Sequence, residues 1–488
     1  MGGDGMDGPL VGAIAGWMGR PRGRFCVPGH QGVGPEGLRR LWGDRVFQAD
    51  LTELAGLDNL AAPAGCIAEA QERAAAYFGA ARTWFSVSGA TGGVMGAIAA
   101  ITRDGEKIAV ARNAHRSAIA GLIWSGARPV WLEPTIAPGW GFGAGIAPAT
   151  VAQAIAAHPD LKGVLVVSPT YYGTVAPIAD IAALTRSRGI PLIVDEAHGS
   201  HWIAHPDLPT PALAAGADVV IHSLHKTAGA LTQSALLHLG KAANNPALGD
   251  RLHRALGLLQ SSSPSYLLMG SLDGARADLE QFGRDRWADA LGLGAEIRDR
   301  LRAKIPTVML LDRAIAPSWN GVMDTDPTRL TLATGPWGWS GYDVDDWLDE
   351  QAAIAIELSD PYAISLVITP WSDRAAADRL IDTLTDLAVE RSRQPLPPPE
   401  IPPFQTPDAP LTPRAATFGP TETVPANRAI GRIAAETLCP YPPGIPAIVP
   451  GERIDAPAIA HLRHILSQGG EIVGAQDPTL ETLKVVIP

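Results

Sequence analysis

From about residue 80 to residue 240 the sequence alternates short apolar runs with amphipathic stretches. Runs such as KIAVAR, GVLVVSP, PLIVDEA and DVVIHS are typical of strands, several of them buried on both faces. Segments such as TGGVMGAIAAI and IADIAALTRSRG are typical of helices. Strands that alternate with helices favour a mostly parallel sheet covered by helices and joined by right-handed crossovers. We therefore expect an α/β fold.

The chain has 488 residues, more than a single hydrophobic core usually supports, so we expect several domains. The start is rich in glycine and predicts a mobile or loosely docked arm, and the stretch QPLPPPEIPPFQTPDAPLTP predicts a linker. The expected layout is an arm at 1–24, a large domain at 25–306, a small α+β domain at 307–393, the linker at 394–413 and a C-terminal domain at 414–488.

Composition narrows the classes of partner and the compartment. A formal net charge of −11 argues against nucleic acid and against an anionic membrane surface, and it is compatible with a small cationic substrate. Cys26, Cys66 and Cys439 have no metal-type spacing, and an odd number of cysteines spread this widely is typical of a reduced intracellular protein. The N-terminus lacks the basic start and apolar core of a signal peptide, so we expect a cytoplasmic protein.

Two motifs supply a lysine and an acid to one region. Asp195 ends the strand-like run PLIVD, and Lys226 follows 31 residues later in HSLHKTAGALTQSALLH. In open α/β sheets, ligands bind outside the carboxyl ends of the strands. Pyridoxal 5′-phosphate (PLP) chemistry needs a lysine amine for a Schiff base and a carboxylate that keeps the pyridine nitrogen protonated. Asp195 as a simple helix N-cap and Lys226 as a surface lysine are the alternatives.

Three further patterns bear on a cofactor. SGATGG, Ser88–Gly93, opens a helix-like segment and can bind a phosphate through backbone N–H groups, although a plain tight turn explains it as well. His115 in RNAHRS can stack on an aromatic ring or serve structure alone. His198, His201 and His205 have helical spacing, but glycine and proline break the segment, so we predict no metal site.

Together these parts follow the order of fold-type I PLP enzymes, and longer motifs make the resemblance specific. The chain resembles the Orn/Lys/Arg decarboxylase family in its short form, without the N-terminal wing domain. The matching stretches cover about residues 26 to 453: VPGHQG, DLTELAGLDNLAAPAG, RNAHRS, SPTYYG, VDEAHGSH, HSLHKTAGALTQSALLH, SSSPSYLLMGSLD, DPTRLTL and CPYPPGIPAIVPGE.

The resemblance implies an aspartate aminotransferase-like large domain and a homodimer or higher oligomer with active sites at the interface. By resemblance, Lys226 forms the Schiff base with PLP, Asp195 pairs with the pyridinium, and His115 stacks over the ring. The remaining cofactor positions implied are Ala90, Thr91, Ser223 and His225 at the phosphate, His198 and Thr170 near the ring, and Ser262 at a neighbouring subunit's cofactor.

The implied reaction is α-decarboxylation of a basic amino acid, which places the chain among the lyases of polyamine biosynthesis. Arginine, giving agmatine and CO2, is the favoured substrate; lysine to cadaverine and ornithine to putrescine stay open. The substrate's distal cation needs oxygen ligands. Candidates are His30, Asp50, Glu53, Asp58 and Glu422, for which ordinary solvated or capping roles are equally open.

Some positions depart from the family pattern. Ser88 and Ala90 replace a common Asn and a Thr or Ser in the phosphate turn, Gln31 replaces a Lys, and His222 replaces a Gln. An aminotransferase or another fold-type I enzyme would share Asp195 and Lys226. A catalytically silent partner of an active decarboxylase is a further alternative, supported only by the altered phosphate turn. The runs HSLHKTAGALTQ and YPPGIPAIVPGE favour a decarboxylase.

Overall fold

The computed structural model describes residues 8–20, 22–243, 246–399, 408–442 and 444–487. They fall into two compact units, each built from three chain segments. The first unit contains the described residues up to Ala100, then Ile193–Pro206 and Thr210–Asp285. The second contains Ile101–Leu192, Asp207–Pro209 and the described residues from Arg286 onward.

Within the described residues the α-helices are, in chain order, α1 (Pro9–Met18), α2 (Glu36–Trp42), α3 (Asp44–Ala49), α4 (Cys66–Phe78), α5 (Gly89–Ile101), α6 (Arg116–Ser125), α7 (Pro148–Ala157), α8 (Ile178–Ser187), α9 (Leu224–Thr227), α10 (Pro246–Leu259), α11 (Tyr266–Lys304), α12 (Gly341–Ala352), α13 (Arg374–Thr385), α14 (Pro413–Phe418), α15 (Ala426–Ala429) and α16 (Ala456–Ser467). Short 3-10 helices lie at Trp202–Ala204, Ala316–Ser318 and Gly335–Trp337, and a π-helix lies at Asp386–Glu390. None of these helices combines the length and the apolar composition that crossing a lipid bilayer requires.

The strands of the same residues are β1 (Ala80–Ser86), β2 (Lys107–Ala111), β3 (Arg128–Leu132), β4 (Thr135–Ile136), β5 (Gly143–Gly145), β6 (Val164–Val167), β7 (Thr174–Val175), β8 (Leu192–Asp195), β9 (Val219–Ser223), β10 (Ala235–Gly240), β11 (Met309–Leu310), β12 (Asp324–Thr325), β13 (Arg329–Ala333), β14 (Leu358–Ser359), β15 (Ala363–Val367), β16 (Thr421–Pro425), β17 (Cys439–Tyr441), β18 (Glu471–Val473) and β19 (Thr482–Val486).

In the first unit, a buried run of strands carries the Lys226 and Asp195 motifs. β8 and β9 are parallel, β9 and β10 are antiparallel, and β10 continues antiparallel to β1. Every residue of β8 and β9 is buried, which is why their sequences LIVD and VVIHS show no polar alternation before their ends. The polar residues therefore appear where each parallel strand stops.

In the second unit, β2 lies between β3 and β6 and is parallel to both. The same unit holds an antiparallel sheet in the order β11-β13-β15-β14, with α12 and α13 in the same stretch of chain. Helix α12 begins at a capping box in which Ser340 and Asp343 satisfy each other's backbone N–H groups. These elements lie inside the range 307–393 predicted for the small domain.

The C-terminal part of the second unit has a hydrophobic core of its own. β16 pairs with β19, and helix α16 contributes Leu462 and Ile465 to a core that also contains Leu438 and Leu483. This core lies within the range predicted for the C-terminal domain. Of the predicted linker, residues 400–407 lie outside the described residues.

The N-terminal segment differs from the expected loose arm. Its residues 9–18 form α1, in which Leu10 is fully buried and Trp17 is nearly so. The backbone N–H groups of Leu10 and Val11 donate to the Asp273 carboxylate at 2.8 and 3.3 Å, so a side chain from α11 fills the N-terminal end of α1. Glycine-rich composition concealed this amphipathic helix; residues 1–7 and 21 of the predicted arm lie outside the described residues.

We expect Leu10→Ala to lower the free energy of unfolding by about 2–5 kcal/mol, because it removes a fully buried leucine side chain. Gly16→Ala is the matched control, since nothing lies within 4 Å of the added methyl and alanine favours the helix. Thermal unfolding and limited proteolysis near residue 20 would measure both. Equal behaviour of the two variants would contradict the docking of α1.

Candidate active site

Lys226 lies where β9 ends and helix α9 begins. Ser223 closes the strand with extended backbone angles, and the chain turns at once into the four-residue helix Leu224–Thr227. The half-buried Lys226 amine is 2.8 Å from Nε2 of His198. His198 itself is buried, three residues beyond the end of β8. The two strand ends therefore bring an amine and an imidazole into direct hydrogen-bonding contact.

Asp195 is the last residue of β8, which runs parallel to β9, and it is 7% exposed. Among the described residues its carboxylate accepts one hydrogen bond, from the Ala197 backbone N–H at 3.2 Å. Burial raises the pKa of the Asp195 carboxyl, and the positive charge of Lys226 offsets part of that rise. A buried carboxylate with so few donors is costly unless a cation binds to it.

Strand register places Asp195 and Ser223 on the same face. Asp195 is paired with Ile221, and Ser223 lies two residues further along β9. Because side chains alternate along a strand, Ile221 and Ser223 point to one side. Helix α5 lies on that side as well, since a methyl group added to Gly93 would be 3.0 Å from the Ile221 side chain. The start of a helix, a hydroxyl and a carboxylate thus share one face.

The Ser88–Gly93 turn is fixed by neighbouring amides. The Gly89 N–H donates to the Gln233 carbonyl oxygen at 3.0 Å, and the Gln233 side-chain amide donates to the Val87 carbonyl at 2.8 Å. Ser88 donates its hydroxyl to the Leu259 carbonyl at 3.3 Å. A methyl group added at Gly92 would be 2.8 Å from Cβ of Ser88, so this glycine allows the chain to close tightly.

This turn leads into the first turn of α5, where the N–H groups of Ala90 and Thr91 have no acceptor inside the helix. Ser223 Oγ is fully buried and has no hydrogen-bond partner among the described residues. A buried hydroxyl without a partner costs free energy until a ligand supplies one. An amine, a buried carboxylate with few hydrogen-bond donors, a hydroxyl without a partner and a helix N-terminus are the groups that PLP needs, so the residues of the first unit fit this cofactor.

His225 and Thr170 have partners that restrict the roles expected of them. His225 is oriented by its Nδ1–H, which donates to the Ser234 carbonyl at 3.0 Å. Thr170, in the second unit, contacts the Thr174 hydroxyl at 2.6 Å, and Thr174 in turn donates to the Ala144 carbonyl. The Thr170 hydroxyl is therefore the donor of that contact and stabilises its own turn.

His115 belongs to the second unit and is the N-cap of α6. Its Nδ1 accepts from the Ser117 backbone N–H at 3.2 Å. Gly444 of the C-terminal part packs against His115. The Arg116 N–H donates to the Gly444 carbonyl at 3.1 Å, and a methyl group at Gly444 would be 3.1 Å from the His115 imidazole. The run YPPGIPAIVPGE therefore includes a residue that limits the space of the His115 ring.

A buried ion pair holds this C-terminal loop, and sequence reasoning had not singled it out. Arg112 and Glu452 are 5% and 2% exposed and approach to 3.4 Å. Arg112 also donates to the Pro446 and Ala447 carbonyls, and Glu452 accepts from the Val449 N–H at 2.8 Å. The signal was present in the sequence, since RNAHRS begins with Arg112 and VPGE ends with Glu452.

The residues predicted to contact the substrate fall into different settings. His30 and Asp50 pair at 3.1 Å, and Glu53, which accepts from Thr52 at 2.7 Å, lines a cavity of about 260 Å³ together with Ser262. Ser262 is exposed. Glu422, on β16, pairs with Arg432 at 2.7 Å near the surface. The structure brings His30 and Asp50 together in the first unit and places Glu422 in the second.

Asp58 has the capping role that the sequence left open beside substrate binding. Its carboxylate accepts from five backbone N–H groups and so caps the start of helix α4; the donors are Asn59, Ala64, Gly65, Ile67 and Ala68. These amides hold the pKa of Asp58 below its ordinary value despite partial burial. A carboxylate saturated by amides has a structural role, as N-capping residues do.

Comparison with known proteins identifies the family. Residues 8–376 match the family model described as Orn/Lys/Arg decarboxylase, major domain, and residues 405–474 match the C-terminal domain of the same family. The chain belongs to the Orn/Lys/Arg decarboxylase family. It is therefore an amino acid decarboxylase, a class of PLP-dependent lyases, as the sequence predicted.

Relatives match over nearly the whole chain. An arginine decarboxylase of Bacillus subtilis (strain 168) is 38% identical over 473 residues, which cover 95% of this chain and 94% of that protein. An arginine decarboxylase of Halalkalibacterium halodurans is also 38% identical, with the same two shares. Among solved structures, lysine decarboxylase A from Pseudomonas aeruginosa has a TM-score of 0.82 at 21% identity, over 99% of this chain and 81% of that one. The predicted PLP fold-type I class is thereby confirmed.

We expect Glu452→Ala to lower the free energy of unfolding of this decarboxylase by about 3–5 kcal/mol, because it leaves the buried Arg112 guanidinium without a counter-charge. Glu422→Ala is the control: its pair with Arg432 is partly exposed, so its loss should cost less than about 1 kcal/mol. Denaturant and thermal unfolding would measure both. A Glu452 variant as stable as the control would show that the pair does not hold the loop.

Proposed function

We propose that this decarboxylase binds PLP and converts arginine to agmatine and CO2. The observation that carries the cofactor is the contact between Lys226 and His198 beside the buried, donor-poor Asp195. Support for arginine comes from the two relatives of 38% identity that are named arginine decarboxylases. Lysine to cadaverine and ornithine to putrescine are the competing reactions in the family.

Each part of the cofactor has a residue in the first unit suited to it. Lys226 would hold the aldehyde carbon covalently, and Asp195 would accept a hydrogen bond from the ring nitrogen. The Ser223 hydroxyl and the N–H groups of Ala90 and Thr91 would hold the phosphate. His225, His115, Thr170 and Ser262 stay predictions from the family resemblance, and Ser262 would act in a neighbouring subunit of a homo-oligomer.

Once bound, PLP supplies an electron-deficient ring that accepts the electron pair left behind by departing CO2. Asp195 would keep the ring nitrogen protonated through a charge-assisted hydrogen bond, and such a bond is stronger where the carboxylate is buried. The Lys226 ammonium would return a proton to the substrate carbon. His198, 2.8 Å away, orients that amine and can share its proton at Nε2.

The guanidinium of arginine needs planar oxygen acceptors. Asp50 and Glu53 lie in the same short segment of the first unit, and Glu53 borders the 260 Å³ cavity. We infer that this segment contributes acceptors for the distal cation. Asp58 is excluded because its oxygens are already occupied by backbone amides.

The decisive test is amine release by the purified, PLP-loaded chain with arginine, lysine and ornithine supplied separately. We expect agmatine and CO2 in equal amounts from arginine, and none from Lys226→Ala, which lacks the amine that anchors PLP. Lys241→Ala, an exposed lysine after β10, is the matched control and should keep full activity.

Other outcomes separate the alternatives. Cadaverine or putrescine without agmatine would reassign the substrate within the family. A keto acid without CO2 would indicate an aminotransferase. Absence of both cofactor absorbance and amine release would make the chain a silent partner of another decarboxylase.

Replacing Asp195 by Asn tests the buried carboxylate. We expect kcat to fall by about 100-fold or more, since breaking a buried ion pair costs about 3–5 kcal/mol. Ser223→Ala removes one hydroxyl donor to the phosphate, and a hydrogen bond to a charged group contributes about 1.5 kcal/mol or more, so it should weaken PLP binding by about tenfold. Initial rates of CO2 release and spectroscopic PLP titration measure the two effects. If Ser223→Ala lowered kcat more than Asp195→Asn does, the role given to Asp195 would be contradicted.

A further inference from the structure

Behind the candidate cofactor face, four polar side chains form a buried hydrogen-bonded chain. The Thr83 hydroxyl contacts His238 Nδ1 at 2.8 Å, His238 Nε2 contacts His222 Nδ1 at 3.1 Å, and His222 Nε2 contacts Glu196 at 2.6 Å. None of the four is more than 2% exposed. This hydrogen-bonded chain crosses four neighbouring strands of the first unit, from β1 through β10 and β9 to the residue after β8.

Every link of this chain has one donor and one acceptor. With Glu196 ionised, Thr83 donates to His238, His238 to His222, and His222 to Glu196, while the Ala212 N–H donates to the second carboxylate oxygen at 2.8 Å. With Glu196 protonated, all three links reverse direction and remain intact. Burial raises the pKa of Glu196 and lowers that of His238 well below its ordinary value, so the histidine stays neutral.

The apolar surroundings make the hydrogen-bonded chain sensitive to the loss of any of its four side chains. The Phe78 ring of α4 lies 5.1 Å from the ring centroids of both His222 and His238. A polar atom that loses its partner beneath this aromatic cover would remain unpaired in an apolar environment, which is costly. The hydrogen-bonded chain therefore favours one arrangement of the strand ends.

The alternation of side chains along β8 and β9 couples the hydrogen-bonded chain to the opposite face of these strands, which carries the candidate cofactor site. Glu196 directly follows Asp195, and its N–H continues the β8–β9 ladder by donating to the Ile221 carbonyl at 3.0 Å. His222 directly precedes Ser223. Because successive side chains of a strand point to opposite faces, Glu196 and His222 pair on one face while Asp195 and Ser223 lie on the other. The Glu196–His222 contact thus fixes the relative position of two residues of the cofactor site.

We propose that Glu196 and His222 are positioning residues for the PLP site, which through their contact on the reverse face hold Asp195 and the Ser223–Lys226 corner in register. The proposal rests on the PLP site proposed above. It assigns no contact with cofactor or substrate to either residue. Its consequence is that the cofactor site depends on a polar contact that the cofactor never touches.

Three substitutions at His222 test the proposal in the full, PLP-loaded chain. Leucine removes both contacts, asparagine is too short to reach Glu196, and glutamine can donate to Glu196 from its amide nitrogen and accept from His238 at its oxygen. The readouts are the dissociation constant of PLP, the pH dependence of the bound-cofactor absorbance, and kcat and KM for arginine. Circular dichroism and the melting temperature of each variant establish that it is folded.

We expect His222→Leu to weaken PLP binding and to lower kcat by about tenfold each, with KM changed less than about twofold, because misplaced groups act on chemistry rather than on substrate binding. His222→Asn should fall toward the leucine variant, and His222→Gln should lie within about threefold of the parent chain. The glutamine rescue separates positioning from simple loss of stability.

The proposal is overturned if folded leucine and asparagine variants bind PLP as the parent does and show the same absorbance change with pH. If the leucine variant does not fold, the asparagine and glutamine variants decide: equal behaviour of these two would overturn the proposal. The parent chain tests the proposed function separately. A parent that binds PLP without releasing agmatine would refute the reaction and leave the PLP-affinity comparison valid.

Discussion

The burial of the Asp195 carboxylate is the constraint on which the rest of the site depends. A charge removed from water needs a compensating partner, and a single backbone N–H does not suffice. The parallel register of β8 and β9 brings Lys226 toward it, and a bound pyridinium would complete the compensation. Because the buried Asp195 carboxylate is compensated only in part, it would bind a cationic ring and hold it in one orientation.

A second buried charge organises the other unit. The Arg112–Glu452 pair ties the C-terminal loop to the segment that precedes His115, and Gly444 then lies against the histidine ring. Both units therefore use the same device: a polar contact without access to water fixes a short loop whose neighbouring residue is a candidate for the cofactor site. Such contacts give a unique geometry because each alternative leaves a buried group unpaired.

Some expectations followed from local pattern and others required three dimensions. The strand-end positions of Asp195 and Lys226 were predictable, because apolar runs locate the strands and ligands collect at their carboxyl ends. The choice between a substrate-binding and a capping role for Asp58 was not, because its acidity in sequence says nothing about the five amides that converge on it. Helix α1 was missed since its glycines masked an apolar stripe formed by Leu10, Ile14 and Trp17.

The sequence alone determined the family, the order of the motifs and the residue types that PLP chemistry requires, because these reside in contiguous runs such as HSLHKTAGALTQ. Only the tertiary structure decided which face each side chain occupies and which polar groups pair. Glu196 and His222 are 26 residues apart, and Arg112 and Glu452 are 340 apart. Hydrogen bonds over such separations depend on strand register and chain crossing, which no local pattern of residues specifies.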